Sequence, residues 1–142
     1  MQEDMGLIVG QSASFSKTIS ESDVYGFARL VGDFNSAHLN KVKAEKSIFG
    51  DRIAHGMLVG SLISTVLGMK LPGSGTIYLE QNLVFKKPVY FGDTATASVT
   101  VEKIINSIKG IYQMKTVITN QNDDVVVDGY AIVMYKGDDV FQ

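Results

Sequence analysis

The 142-residue chain has no cysteine, no tryptophan, two prolines and two histidines. Without thiols, neither a disulfide framework nor thiolate chemistry is available. Two histidines without cysteine are also a poor donor set for structural zinc, so no metal is expected. Charge of one sign is lacking too: the formal net charge is −2, with no basic footprint for nucleic acid. The longest apolar stretch, residues 57–71, is interrupted by Ser61, Ser64, Thr65 and Lys70. It falls short of the roughly 20 apolar residues that cross a bilayer. The opening Met1-Gln2-Glu3-Asp4 is acidic, unlike a secretory signal. A soluble cytoplasmic protein is the expectation. What is present is ordinary globular composition, 45% apolar and 20% charged, enough for one core in one domain spanning 1–142.

No internal repeat, low-complexity tract or linker divides the chain. Ala13, Phe15, Lys17 and Ile19 alternate with small polar residues, a strand signal. Ser20 with Asp23 suits a helix start, and Val24, Phe27, Ala28 and Val31 follow at helical spacing until Gly32. Asn35, Ser36 and Asn40 mark a loop, with a short helical turn expected over Val42–Lys46. From Gly56 to Met69 apolar residues occupy nearly every side, predicting a helix buried on most faces. Leu71-Pro72-Gly73-Ser74-Gly75 ends it; it lacks the Lys-Ser/Thr of a phosphate loop and reads as a turn. Four strand-like segments follow, over 76–85, 94–105, 111–119 and 125–135. The order predicts an α+β fold, an antiparallel sheet wrapped around one long central helix.

Two segments could carry chemistry. Gly32-Asp33-Phe34-Asn35-Ser36-Ala37-His38 puts a carboxylate and an imidazole five residues apart on a loop. Such a pair can act as base and acid on one water. On spacing alone the plainer reading has the stronger claim: Asp33 and Asn35 shape a turn, with His38 half exposed. The second segment is Ala54-His55-Gly56-Met57. At a helix start the Gly56 amide has no intrahelical acceptor and can donate to a carbonyl oxygen, aided by the helix dipole. The missing side chain of Gly56 could admit a ligand, or it could admit a neighbouring strand. His55 reads as a cap or core residue. Ser61 and Ser64 share one helix face and could orient the aspartate, though serine more often bonds its own helix carbonyl. Neither lies in a Gly-x-Ser-x-Gly elbow. Lys86-Lys87 is most simply a solvated strand end; the alternative is a contact for a ligand phosphate.

Taken together, these residues resemble the MaoC-like hydratases. Phe27 to His38 is similar to the family's first block, an aromatic followed by Gly-Asp-x-Asn and then histidine. Phe49-Gly-Asp-Arg-Ile-Ala-His-Gly-Met-Leu58 is similar to its second, at the expected distance. The resemblance continues through Ser61-Leu-Ile-Ser64, Leu71 to Tyr78, Phe85-Lys-Lys-Pro88 and Gly92-Asp93, and looks nearest to the short (R)-specific enoyl-CoA hydratases. It implies a hotdog fold and a homodimer with a thioester tunnel at the subunit boundary. It implies no metal or redox cofactor, coenzyme A entering only as part of an acyl-CoA substrate, with acyl carrier protein as another possible carrier. Asp33 and His38 match the catalytic pair, Gly56 the amide that polarises the thioester carbonyl, and Ser64 a serine beside the pair. Leu67 falls at an acyl-pocket position. The chain departs from the pattern at Ser36, where the family usually has proline; without it the loop is less stiff.

The expected reaction is reversible hydration of a trans-2-enoyl thioester to the (R)-3-hydroxyacyl thioester. Three rivals accompany it: a hotdog thioesterase, a non-catalytic acyl-thioester-binding module, and a lyase that adds ammonia. Acyl chain length and pathway are not legible in the sequence.

Overall fold

The computed structural model describes residues 6–137. In chain order the elements are β1 (Ser12–Thr18), α1 (Glu21–Val31), α2 (Ser36–Leu39), α3 (Lys41–Glu45), α4 (Gly56–Met69), β2 (Ile77–Phe85), β3 (Thr94–Asn106), β4 (Ile111–Thr119) and β5 (Val125–Met134). The five strands form one antiparallel sheet in the order β1-β3-β4-β5-β2. This is an α+β, hotdog-like arrangement of an antiparallel sheet on a central helix. No helix among the described residues is long and apolar enough to cross a membrane.

Local chemistry sets the boundaries. Ser20 accepts from the Asp23 amide at 3.0 Å while Asp23 accepts from the Ser20 amide at 2.9 Å, a capping box that starts α1. Gly32, at φ 83°, adopts the left-handed conformation that ends it, its amide donating to the Ala28 carbonyl at 2.8 Å. Asn40 caps α3 by accepting from the Lys43 amide at 3.0 Å, so that short helix begins at Lys41, one residue before the expected turn.

The core lies between the sheet and α4. β3 turns Ala95, Ala97, Val99 and Val101 inward, and β4 contributes Tyr112, Met114, Thr116 and Ile118. Their alternation reflects the two-residue period of a strand with one buried face. Against them α4 buries Val59, Leu62, Ile63, Val66 and Leu67. Each such aliphatic side chain contributes about 1.5–3 kcal/mol relative to exposure.

The sheet does not cover α4 all round; Met57, Ser61, Ser64, Gly68 and Met69 stand exposed in a stripe along it. The sheet's edge strand β2 is itself open. Along β2, Ile77, Tyr78, Leu79, Val84 and Phe85 are all exposed.

Candidate active site

Three segments converge at the N-terminus of α4. The first is the loop from Gly32 into α2. Asn35 caps α2, its side-chain oxygen accepting from the Ala37 amide at 2.9 Å, and thereby holds His38 on a four-residue helix. The Asp33 carboxylate accepts from the Asn35 amide at 3.2 Å. The second segment, residues 49–55, is stitched in on both sides. The Ile53 amide donates to Ala37 O at 3.0 Å and the Ala54 amide to Val89 O at 2.7 Å. Tyr90 donates its hydroxyl to Phe49 O at 2.7 Å. Arg52 adds a clamp to α1, with Nη2 2.9 Å from the Glu21 carboxylate and its guanidinium 4.6 Å from the Phe91 ring. The third segment is the end of β2, which brings Phe85, Lys86 and Lys87 over the helix start.

The result is a cavity of about 770 Å³ whose lining includes Phe27, Asp33, His38, His55, Gly56 and Phe85. One donor atom from each of Asp33, His38 and His55 lies within 4.8 Å of the others. A carbonyl oxygen accepts and never donates, so the 2.7 Å contact between His38 Nδ1 and Ile53 O places a proton on Nδ1. His38 therefore keeps Nε2 for a ligand. The contact between His55 Nε2 and Asp33 main-chain O, at 3.0 Å, likewise places a proton on that nitrogen. The two imidazoles stack with centroids 3.9 Å apart and planes inclined by 27°. Rings stacked this way direct their in-plane nitrogens along neighbouring planes rather than at one point, and a nitrogen of each is held by a carbonyl. The cluster therefore suits proton transfer better than cation binding.

Gly56 and Met57 line the same cavity as the first two residues of α4, and His55 provides no side-chain cap. Their amides are among those a helix leaves unpaired, at the positive end of its dipole. The absent Cβ of Gly56 serves the neighbouring strand: an ideal Cβ would lie 2.8 Å from Phe85 Cε1, and one on Gly60 would lie 3.1 Å from Leu83. Of the two readings left open for this glycine, close approach of a strand is the one seen, while the residue still lines the cavity.

The serines and Leu67 lie elsewhere. Ser61 donates its hydroxyl to Leu58 O at 2.6 Å, the self-helix bond expected of a serine in this position. Ser61 and Ser64 line a second cavity of about 550 Å³ with Tyr78, Leu79 and Leu83. Met57 and Phe85 line both cavities and form the wall between them. Leu67 is buried in the core and lines neither. Sequence reasoning missed Phe85 and the ring contact of His55. Glycines four apart on α4, facing Leu83 and Phe85 two apart on β2, are the signal that could have revealed the first.

Residues 6–124 match the MaoC like domain. The chain belongs to this family. It is 51% identical over 125 residues to the (R)-specific enoyl-CoA hydratase of Rhodospirillum rubrum, covering 88% of this chain and 85% of that protein. It is 42% identical to the 3-hydroxybutyryl-CoA dehydratase of Methylorubrum extorquens, over 89% of this chain and 80% of that one. Among solved structures, the (R)-hydratase from A. caviae involved in PHA biosynthesis superposes with a TM-score of 0.88 at 42% identity, over 95% of this chain and 99% of that one. MaoC-family membership thus accords with the resemblance carried by the two sequence blocks.

Proposed function

We propose that the protein is an (R)-specific enoyl-CoA hydratase that also runs in reverse as a 3-hydroxyacyl-CoA dehydratase, with Asp33 and His38 as its catalytic pair. One observation carries the residue assignment: an aspartate and a histidine with its Nδ1 proton held by Ile53 O share a cavity with an uncapped helix start. The relatives named above support the substrate class, an acyl-CoA.

The tautomer dictates the division of labour. With Nδ1–H committed to Ile53, His38 can give a proton to substrate only from Nε2, as the imidazolium. The Asp33 carboxylate takes a proton from water as its oxygen bonds to C3. His38 Nε2 delivers its proton to C2, and the Gly56 amide stabilises negative charge on the thioester oxygen between those events. Asp33 then holds a proton that His38 lacks, and passing it across the cluster resets the pair. Dehydration is the same path reversed. With the donor atoms of Asp33 and His38 within 4.8 Å of each other, water and proton are delivered to the same face of the double bond, a syn addition. Lys86 and Lys87, which line the cavity, suit the phosphates of coenzyme A, and the cytoplasmic acyl-CoA pool is the proposed source of substrate. A homodimer, with acyl-CoA rather than acyl carrier protein as partner, completes the proposal.

Purified protein mixed with crotonyl-CoA should lose enoyl absorbance without releasing thiol, with (R)-3-hydroxybutyryl-CoA as product. Thiol release would instead identify a thioesterase, and binding without turnover a non-catalytic module. Asp33→Asn and His38→Gln should each lower turnover by roughly 10²–10⁴-fold with unchanged circular dichroism; full activity in both would sink the residue assignment.

A further inference from the structure

The proton-transfer scheme leaves His55 unused, yet it and Thr116 are the two buried polar residues among those described. Its ring makes three distinct contacts. Nε2–H donates to the main-chain oxygen of Asp33 at 3.0 Å. One face stacks on His38 at 3.9 Å, and Phe27 meets the ring at 4.9 Å with planes inclined by 57°. Nδ1 is buried with no partner, so a proton placed there would find no acceptor. The surroundings therefore fit the Nε2–H tautomer. His38 holds the opposite one, fixed at Nδ1 by Ile53 O. Two stacked imidazoles thus carry opposite tautomers, each set by a main-chain carbonyl from a different segment.

We propose that His55 is a positioning residue for the Asp33/His38 pair: as its Nε2–H tautomer it anchors the Asp33 main chain while its face supports the His38 ring, keeping His38 Nε2 turned toward substrate. Histidine meets both requirements together. Phenylalanine would supply the ring without the donor, and glutamine the donor without the ring. His55 also leads directly into Gly56, so the same residue ties acid, base and amide donor into one unit. This assignment rests on the hydratase reading for its kinetic consequence, but its tautomer claim stands independently.

The chain has only two histidines, so ¹⁵N-histidine NMR at about pH 8.5, well above the ordinary histidine range, resolves both rings. The expected spectrum has one Nδ1–H ring, lost in His38→Gln, and one Nε2–H ring, lost in His55 variants. His55→Phe keeps a stacking ring and should leave the His38 tautomer intact. His55→Gln keeps a donor and should let His38 mix tautomers. Each variant should lower kcat roughly 10- to 100-fold with KM within about threefold, the mark of misplaced groups rather than lost binding. A wild-type His55 found as Nδ1–H would overturn the proposal whatever the variants do. So would wild-type kcat and an unchanged His38 spectrum in both folded variants. If wild type itself fails to hydrate enoyl-CoA, the functional reading falls, while the NMR result still decides whether His55 holds this tautomer.

Discussion

An alanine at position 56 would set its Cβ 2.8 Å from Cε1 and 2.9 Å from Cδ1 of Phe85, closer than two carbons approach. The half-exposed Phe85 ring, rather than the helix, would give way. Gly56→Ala should therefore cost modest stability, within the roughly 1–3 kcal/mol of overpacking, but should disturb the wall shared by the two cavities and lower kcat/KM. Adding Phe85→Leu should restore stability, measured by urea denaturation; no coupling between the substitutions would mean the ring is not the obstacle. Ser36 makes the opposite case. It is the first residue of α2, where proline is favoured, and Asn35 before it sits at φ −56° and ψ 139°, the extended conformation a residue preceding proline adopts. Ser36→Pro should raise stability by roughly 0.4–1 kcal/mol through the unfolded chain, observable as a higher denaturation midpoint. At this scale the sequence revealed residue types and spacings, and the family resemblance made candidates of Asp33, His38 and Gly56. It could not reveal which ring lies on which, because the His38–His55 stack depends on two separate segments meeting.

Helix α1 begins at a capping box whose acid is also paired with Lys17, 3.0 Å away. The Ser20 amide, foremost, holds the Asp23 carboxyl below its ordinary pKa of 3.8 against the opposing effect of burial, with Lys17 adding to the lowering. A depressed pKa means the folded state favours the charged form, so this stabilisation is full above the unfolded value and disappears as pH falls through the folded one. The stability advantage of wild type over Asp23→Asn should be constant near neutrality and shrink once pH drops below about 3.8. An advantage that persisted unchanged into stronger acid would contradict the charge-based account. Elements of this kind were legible because their signals are local. Ser20, Asp23 and Gly32 bracket α1, and Gly56 and Met69 bound α4 as its apolar pattern indicated. The strands followed from alternation, most clearly Ala95 to Val101 on β3. Periodicity could not say how much of α4 the sheet covers, since an apolar face reads alike whether the same chain or another copy covers it.

That open face bears on the whole molecule. The stripe of Met57, Ser61, Ser64 and Gly68 on α4 adjoins the exposed edge strand β2, where Ile77 and Leu79 stand in solvent and the strand's outer side has no partner among the described residues. An unpaired edge carrying large apolar side chains invites association. Burial raises the Tyr78 phenol above its ordinary pKa, and its hydroxyl bonds Gln81, so this side chain is already partly enclosed along the edge. An isologous pair would place the same edge on both copies, consistent with the prevalence of two-fold homo-oligomers. Light scattering should therefore give a mass about twice the 15.4 kDa of the chain. Leu79→Lys, on the exposed edge and beside the second cavity, should shift that mass toward the monomer. Turnover should fall with it, although Asp33, His38 and Gly56 are untouched, because the acyl chain would lose the enclosure a second copy supplies. A fully active monomer would dissociate the two ideas. The Asp33/His38 assignment would stand on its own cavity, and the exposed β2 edge would need another explanation.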